Sequence, residues 1–365
     1  MADYSHDVLR ALPKVLLHDH LDGGLRPTTV IELADEVGWT PRLPTTDSAA
    51  LQAWFTAGAE AGDIIQYLAT FEHTVGVMQT ESAIERVAYE AAIDLAEDGV
   101  VYGEIRFAPE LHQDRRLSLE AVVEAVGYGL RRGERDALAA GRPITVNAIC
   151  CAMRTANRSV EVVNMLARMR YREPKLVAFD LAGAETGFPP SLHAEALSIA
   201  RRELLNITIH ASEPPDKELI SDALAHGAHR IGHGVRLASD ILFTPNEQAI
   251  LGAIARYIFN HEIALEMAPT CHVQIGAVPT MADHPFAKLL RLGFKVTLNT
   301  DNRLMSNVSP TSELAAVTST FNLSPAEMRQ IVVNGIEAAF CPAEQKRRML
   351  RDVIHPAYDK LEPPC

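Results

Sequence analysis

Cysteine is scarce and poorly arranged for cross-linking: five residues, at 150, 151, 271, 341 and 365, an odd number with two of them adjacent. No C-x-x-C spacing occurs, so a disulfide framework is excluded. A P-C-x-x-C zinc signature is missing as well, and any metal must rely on histidine and carboxylate. Basic residues are in the minority, 34 Lys and Arg against 47 Asp and Glu, for a formal charge of -13. That is the wrong sign for a phosphate backbone or an anionic membrane surface, so no nucleic acid and no membrane is expected as a partner. No stretch approaches about 18 apolar residues. The opening MADYSHDVLRALPK lacks a basic segment followed by an apolar core, which points to a cytoplasmic protein.

Hydrophobic residues make up 47% of the 365, enough for a sizeable core. After a short leader, Val15-Leu16-Leu17 opens a strand, and from residue 80 helices and strands alternate. Helices over 81–98, 118–140, 157–171, 190–204, 216–226, 245–258 and 283–291 each lead to an apolar segment. Those segments lie at 100–107, 143–150, 176–181, 207–210, 230–233, 263–267 and 294–299. Counting the first, there are eight strands. Such alternation implies a parallel sheet, and eight units close naturally into a (β/α)8 TIM-type barrel spanning 1–365 as a single domain. An open doubly wound sheet competes, but the place after the first strand holds no G-x-G-x-x-G. Additional helices are inserted after strand 1, over 28–37 and 51–71, and at the C-terminus over 311–322, 325–339 and 343–354. The aromatics Trp54, Phe55 and Phe71 fit either a lid over a pocket mouth or ordinary core packing.

The first strand ends in His18-Asp19-His20-Leu21-Asp22-Gly23-Gly24. Alternation along a strand puts His18 and His20 on one face and Asp19 on the other. Taken alone, the pair fits a metal site or two surface histidines, and partners further along must decide. In a barrel, chemistry gathers at the C-terminal ends of the strands. Asp180 ends strand four, His210 strand five, His233 strand six and Thr300-Asp301-Asn302 strand eight. His18, His20, His210 and Asp301 supply four ligands for zinc, which lowers the pKa of a bound water toward about 7 and so makes hydroxide available. His233 is then free to hydrogen-bond that water and take its proton, and Glu213, three residues after His210, is placed as a general acid.

HDHLDG at 18–23, DLAGAE at 180–185, HASE at 210–213, RIGHG at 230–234 and NTDN at 299–302 resemble, in order and spacing, the motifs of the adenosine deaminase family of amidohydrolase barrels. The likeness runs through nearly the whole chain. It implies one Zn2+ per chain on His18, His20, His210 and Asp301, with His233 orienting the hydroxide. It further implies that Glu213 gives a proton to purine N1, that the Gly183 N–H meets N3, that Asp22 holds the ribose, and that the residue at 302, here Asn302, meets N7. His20 borders the substrate too. The implied partner is a small purine nucleoside and the implied reaction is hydrolytic deamination of adenosine and 2′-deoxyadenosine to the inosine product and ammonia, in purine salvage. Attack at C6 dearomatises the ring and places charge on N1, so an acid there agrees with the assignment. A deaminase of a substituted 6-aminopurine nucleoside and a nucleoside-binding protein without turnover are the alternatives. A binuclear amidohydrolase is disfavoured, because Asp180-Leu181-Ala182-Gly183 stands where such enzymes carry a bridging lysine. Oligomeric state is left open.

Three positions depart from the common family pattern. HAGE is replaced by His210-Ala211-Ser212-Glu213, which narrows the space beside Glu213 or adds a hydrogen bond. The usual C-P-x-S-[NS] becomes Ala268-Pro269-Thr270-Cys271-His272, which bears on pocket shape or support of the metal. The usual paired aspartates become Asp301-Asn302, a mild change, since an Asn amide donates to N7 at any pH.

Overall fold

The computed structural model describes residues 4–243 and 249–361. Ten strands occur there: β1 (Lys14–His20), β2 (Val100–Phe107), β3 (Thr145–Met153), β4 (Leu176–Ala182), β5 (Asn206–Ala211), β6 (Arg230–His233), β7 (Ile241–Phe243), β8 (Ala249–Leu251), β9 (Ala264–Met267) and β10 (Val296–Leu298). Eight of them form one parallel sheet in the order β1-β2-β3-β4-β5-β6-β9-β10. The sheet curls until its ends meet: Asp301 N–H donates to the His18 carbonyl (3.0 Å) and His20 N–H to that of Asp301 (2.7 Å). Asn299 Oδ1 completes the seam by accepting from the backbone N–H groups of Leu17 (2.9 Å) and His18 (3.0 Å). The chain therefore forms the eight-stranded α/β barrel that its rhythm implies, and one rim receives every strand's C-terminal end.

Strands in such a barrel are covered on both faces, and so Val15, Leu16 and Leu17 are all buried. The helix Glu81–Glu97 has Thr80 as its N-cap, with the hydroxyl accepting from Ala83 N–H. It stops at Gly99, whose φ of +80° admits glycine readily. A Cβ there would fall 2.2 Å from the Arg10 carbonyl oxygen. Between β1 and that helix lie the inserted helices Pro27–Val37, Ser48–Ala59, Ile64–Ala69 and Phe71–Val77. At the other end, Pro310–Phe321 and Pro325–Ala338 each begin with a Ser capping box and a Pro in the first turn.

The helix expected over 245–258 is corrected. Its residues 245–248 lie outside the described ones, and Ala249–Leu251 is β8, paired antiparallel with β7. Helix begins only at Ala253, because the Asp240 carboxylate reaches in from β7's approach to accept from Ala255 N–H (2.9 Å). The 51–71 segment breaks at Gly62, and Asp63 restarts it by accepting from Ile65 N–H. The strand expected to start at Pro143 starts at Thr145, since proline has no N–H for the ladder. Among the described residues no helix is long and apolar enough to cross a membrane.

Candidate active site

β1, β5 and the turn after β10 converge at the rim. His18 Nε2 lies 3.1 Å and His20 Nε2 3.4 Å from Asp301 Oδ1. His20 Nε2 and His210 Nε2 face each other at 3.1 Å. One ligand atom from each of the four residues lies within 4.8 Å of the others. Burial first, and then the Arg106 charge and neighbouring histidines, push His18 well below the ordinary histidine range. Neutral rings with lone pairs aimed at one point are what a divalent cation requires. His18 Nε2, fully buried, makes no aligned hydrogen bond even to Asp301 at 3.1 Å, an orphan that a cation would satisfy. The donor set therefore fits a metal.

Beneath these side chains is a charged layer that the strand pattern did not assign. His18 Nδ1 meets Glu266 Oε2 at 3.0 Å and His210 Nδ1 meets Asp180 Oδ2 at 2.9 Å. Arg106, wholly buried, spans both carboxylates, with its guanidinium 2.8 Å from Asp180 and 2.6 Å from Glu266. Burial alone would raise the Asp180 carboxyl, but His210 and Arg106 outweigh it and hold it well below the usual range. These carboxylates fix ring orientation and make the far nitrogens better ligands. Asp180, read from the sequence as a rim residue, acts one layer down. A signal for the layer was present: Glu104, Arg106 and Glu266 are charges inside apolar parallel strands, where a charge needs a partner.

Glu213 Oε1 stands 3.4 Å from His233 Nε2, its side chain 10% exposed. Burial, with the nearby carboxylates of Glu185 and Asp301, pushes its carboxyl well above the usual range, the direction that a proton donor needs. Glu185, which closes the DLAGAE motif, accepts from the backbone N–H groups of Ser212 (2.7 Å) and Glu213 (3.3 Å) and so anchors the loop. Ser212, His233 and Asp301 all have positive φ, +73°, +62° and +56°. Such strain concentrates where a site needs side chains aimed sharply off strand ends.

Ser212 brings no new hydrogen bond. Its hydroxyl is buried without a partner, and it is not among the cavity-lining residues. Ser212→Gly removes both the left-handed strain and the unpaired hydroxyl, against glycine's greater freedom when unfolded. The expected result is a gain of about 1 kcal/mol in urea unfolding with turnover little changed. A loss of stability would contradict this account.

A cavity of about 340 Å³ opens beside the cluster, and His20, Asp22 and Gly183 line it together with Leu68, Phe71, Glu72, Leu111 and Met153. Burial pushes Asp22 up to about 7. The inserted segment divides: Leu68 and Phe71 face the cavity and Phe55 is core, while Trp54 takes neither role and is exposed. Asn302 is buried, its Oδ1 without a partner, and Gly23 makes room for it, since a Cβ there would fall 2.1 Å from that oxygen. Glu213, His233, Asp301 and Asn302 are outside the lining, and His20 joins the two groups. Of the three altered residues of the 268–272 stretch, two reach the site through their side chains: Cys271 Sγ donates to Asp301 Oδ2 at 2.9 Å, and His272 contacts His233 at 3.0 Å.

The family model described as adenosine deaminase matches residues 13–356. Adenosine deaminase 1 of Streptomyces coelicolor is 47% identical over 359 residues, covering 98% of this chain and 90% of that protein. A zinc-bound amidohydrolase from Burkholderia ambifaria superposes with a TM-score of 0.82 at 24% identity, covering 98% of this chain and 93% of its own. Arabidopsis ADAL complexed with IMP superposes with a TM-score of 0.81 at 24% identity, covering 97% and 99% of the two chains.

Proposed function

The chain belongs to the adenosine deaminase family, and from that membership and its site we propose that it hydrolyses adenosine and 2′-deoxyadenosine at C6 to the inosine product and ammonia. The observation that carries the reading is the convergence of His18, His20, His210 and Asp301 with Glu213 and His233, a cluster that His20 joins to the cavity. The metal is Zn2+, one per chain, held by those three histidines and Asp301. When bound it supplies Lewis acidity, lowering the pKa of water toward about 7.

The chain's own groups do the rest. Glu213, its carboxyl raised by burial, donates a proton to N1 as charge collects there, and the carboxylate left behind is beside His233. His233 hydrogen-bonds the attacking water. Asp22 holds the ribose, the Gly183 N–H meets N3 and Asn302 donates to N7, while His20 borders the purine. Residues 1–365 act as one catalytic unit in cytoplasmic purine salvage, a setting in keeping with the four free cysteines among the described residues.

The lining also selects for an uncharged 5′ end. It carries the acidic groups of Asp22 and Glu72 and no Lys or Arg, so a 5′-phosphate finds no cation in the lining to meet its charge. With purified zinc-loaded protein, loss of adenine absorbance and release of ammonia should show kcat/KM for adenosine at least about 10²-fold above that for adenosine 5′-monophosphate. Turnover only of an N6-substituted nucleoside would replace the substrate, and binding without turnover would replace the reaction.

A further inference from the structure

The altered 268–272 stretch places His272 where it changes the active site's hydrogen bonding. His233 Nδ1 lies 3.0 Å from His272 Nε2, and His272 Nδ1 lies 2.8 Å from His284 Nε2. The row ends on a backbone group: Phe286 N–H donates to His284 Nδ1 at 3.1 Å. Phe286 is the first residue of the helix Phe286–Arg291, whose opening N–H groups have no partner within the helix. All three rings are buried, and among the described residues neither His272 nor His284 has a carboxylate partner. Burial holds the two outer rings below the ordinary histidine range, His284 at about 3. An imidazole keeps at least one N–H, so a ring that accepts at one nitrogen donates from the other.

A backbone amide can only donate, and this polarises the whole row. His284 must accept at Nδ1, so its proton is on Nε2 and is donated to His272 Nδ1. His272 then carries its own proton on Nε2 and donates it to His233 Nδ1. His233 is left with its proton on Nε2, the nitrogen that faces Glu213 Oε1 at 3.4 Å.

We propose that His272 and His284 are positioning residues that lock His233 in the Nε2–H tautomer, so that it presents a donor, not a lone pair, to the reaction centre. The inference deepens the deaminase reading and rests on it. Of the two tasks the sequence suggested for His233, it keeps hydrogen bonding of the attacking oxygen and removes proton acceptance by the neutral ring. The row cannot conduct protons outward, because its far end is closed by an amide that does not ionise.

The test is made on zinc-loaded protein labelled with 15N-histidine. Two-bond 1H–15N spectra report which nitrogen of His233 carries the proton, its signals being those absent from His233→Gln. Wild type should show Nε2–H. His272→Gln keeps an N–H donor near the same place and should keep both the tautomer and kcat. His272→Leu removes the donor and should lose the single tautomer, with kcat for adenosine reduced about 10- to 100-fold and KM little changed. An Nδ1–H tautomer in wild type overturns the proposal, as do equal losses in the Gln and Leu variants. Should His272→Leu fail to fold, wild type and His272→Gln decide it. Absence of adenosine turnover in wild type would sink the deaminase reading alone, because the tautomer is read without catalysis.

Discussion

Glu213→Gln is expected to lower kcat for adenosine by at least about 10²-fold while the zinc content stays at one ion per chain. The amide matches the carboxyl in size and can still hydrogen-bond purine N1. It cannot surrender a proton of comparable acidity, so charge developing on N1 goes unneutralised. Glu213 is outside the four-residue cluster that suits a cation, and its backbone N–H is held by Glu185 whatever its side chain. Binding and chemistry therefore separate at this residue. His18→Ala is the contrast: it should lose the metal together with turnover. Near-normal kcat in Glu213→Gln would move the proton donor elsewhere, and loss of metal from it would redraw the ligand set.

Arg106→Met is expected to be the most destabilising single change in the barrel interior, costing about 3–5 kcal/mol, with weakened zinc retention besides. The guanidinium is fully buried and is shared between Asp180 and Glu266. Removing it leaves Glu266 with Arg230 alone and Asp180 with no guanidinium, in a medium that solvates neither carboxylate. Those same carboxylates hold His210 and His18, so the rings would lose their fixed orientation as the carboxylates shift or take up protons. Chemical unfolding and metal analysis on the purified variant check both effects. A variant as stable as wild type, with full zinc content, would show that water has entered to replace the arginine.

The features legible in advance were those set by short-range periodicity. The alternation of helical and apolar stretches needs only neighbouring residues, and it led to eight strands in a ring. The H-x-H pair shared a face because strand geometry dictates it, and the rim rule then grouped residues far apart in the chain. The errors fell where a distant group intervened. Asp240 starts the helix at Ala253 from thirteen residues upstream, and no window over 245–258 contains it. Ser212 could be seen to replace a glycine, yet only its φ of +73° shows that the glycine would serve the backbone.

Sequence by itself determined the barrel, the grouping of His18, His20, His210, Glu213, His233 and Asp301 at one rim, and the family. Each of these follows from local pattern or from motifs read in order. Tertiary structure alone decided what those residues are bonded to. Arg106 reaches Asp180 and Glu266 across the barrel's interior, and Phe286 polarises His233 through two intervening rings. The physical reason is that hydrogen-bond direction and buried charge pairing depend on which atoms meet after the ring closes. Those meetings join strands and loops whose separation along the chain carries no trace of their contact.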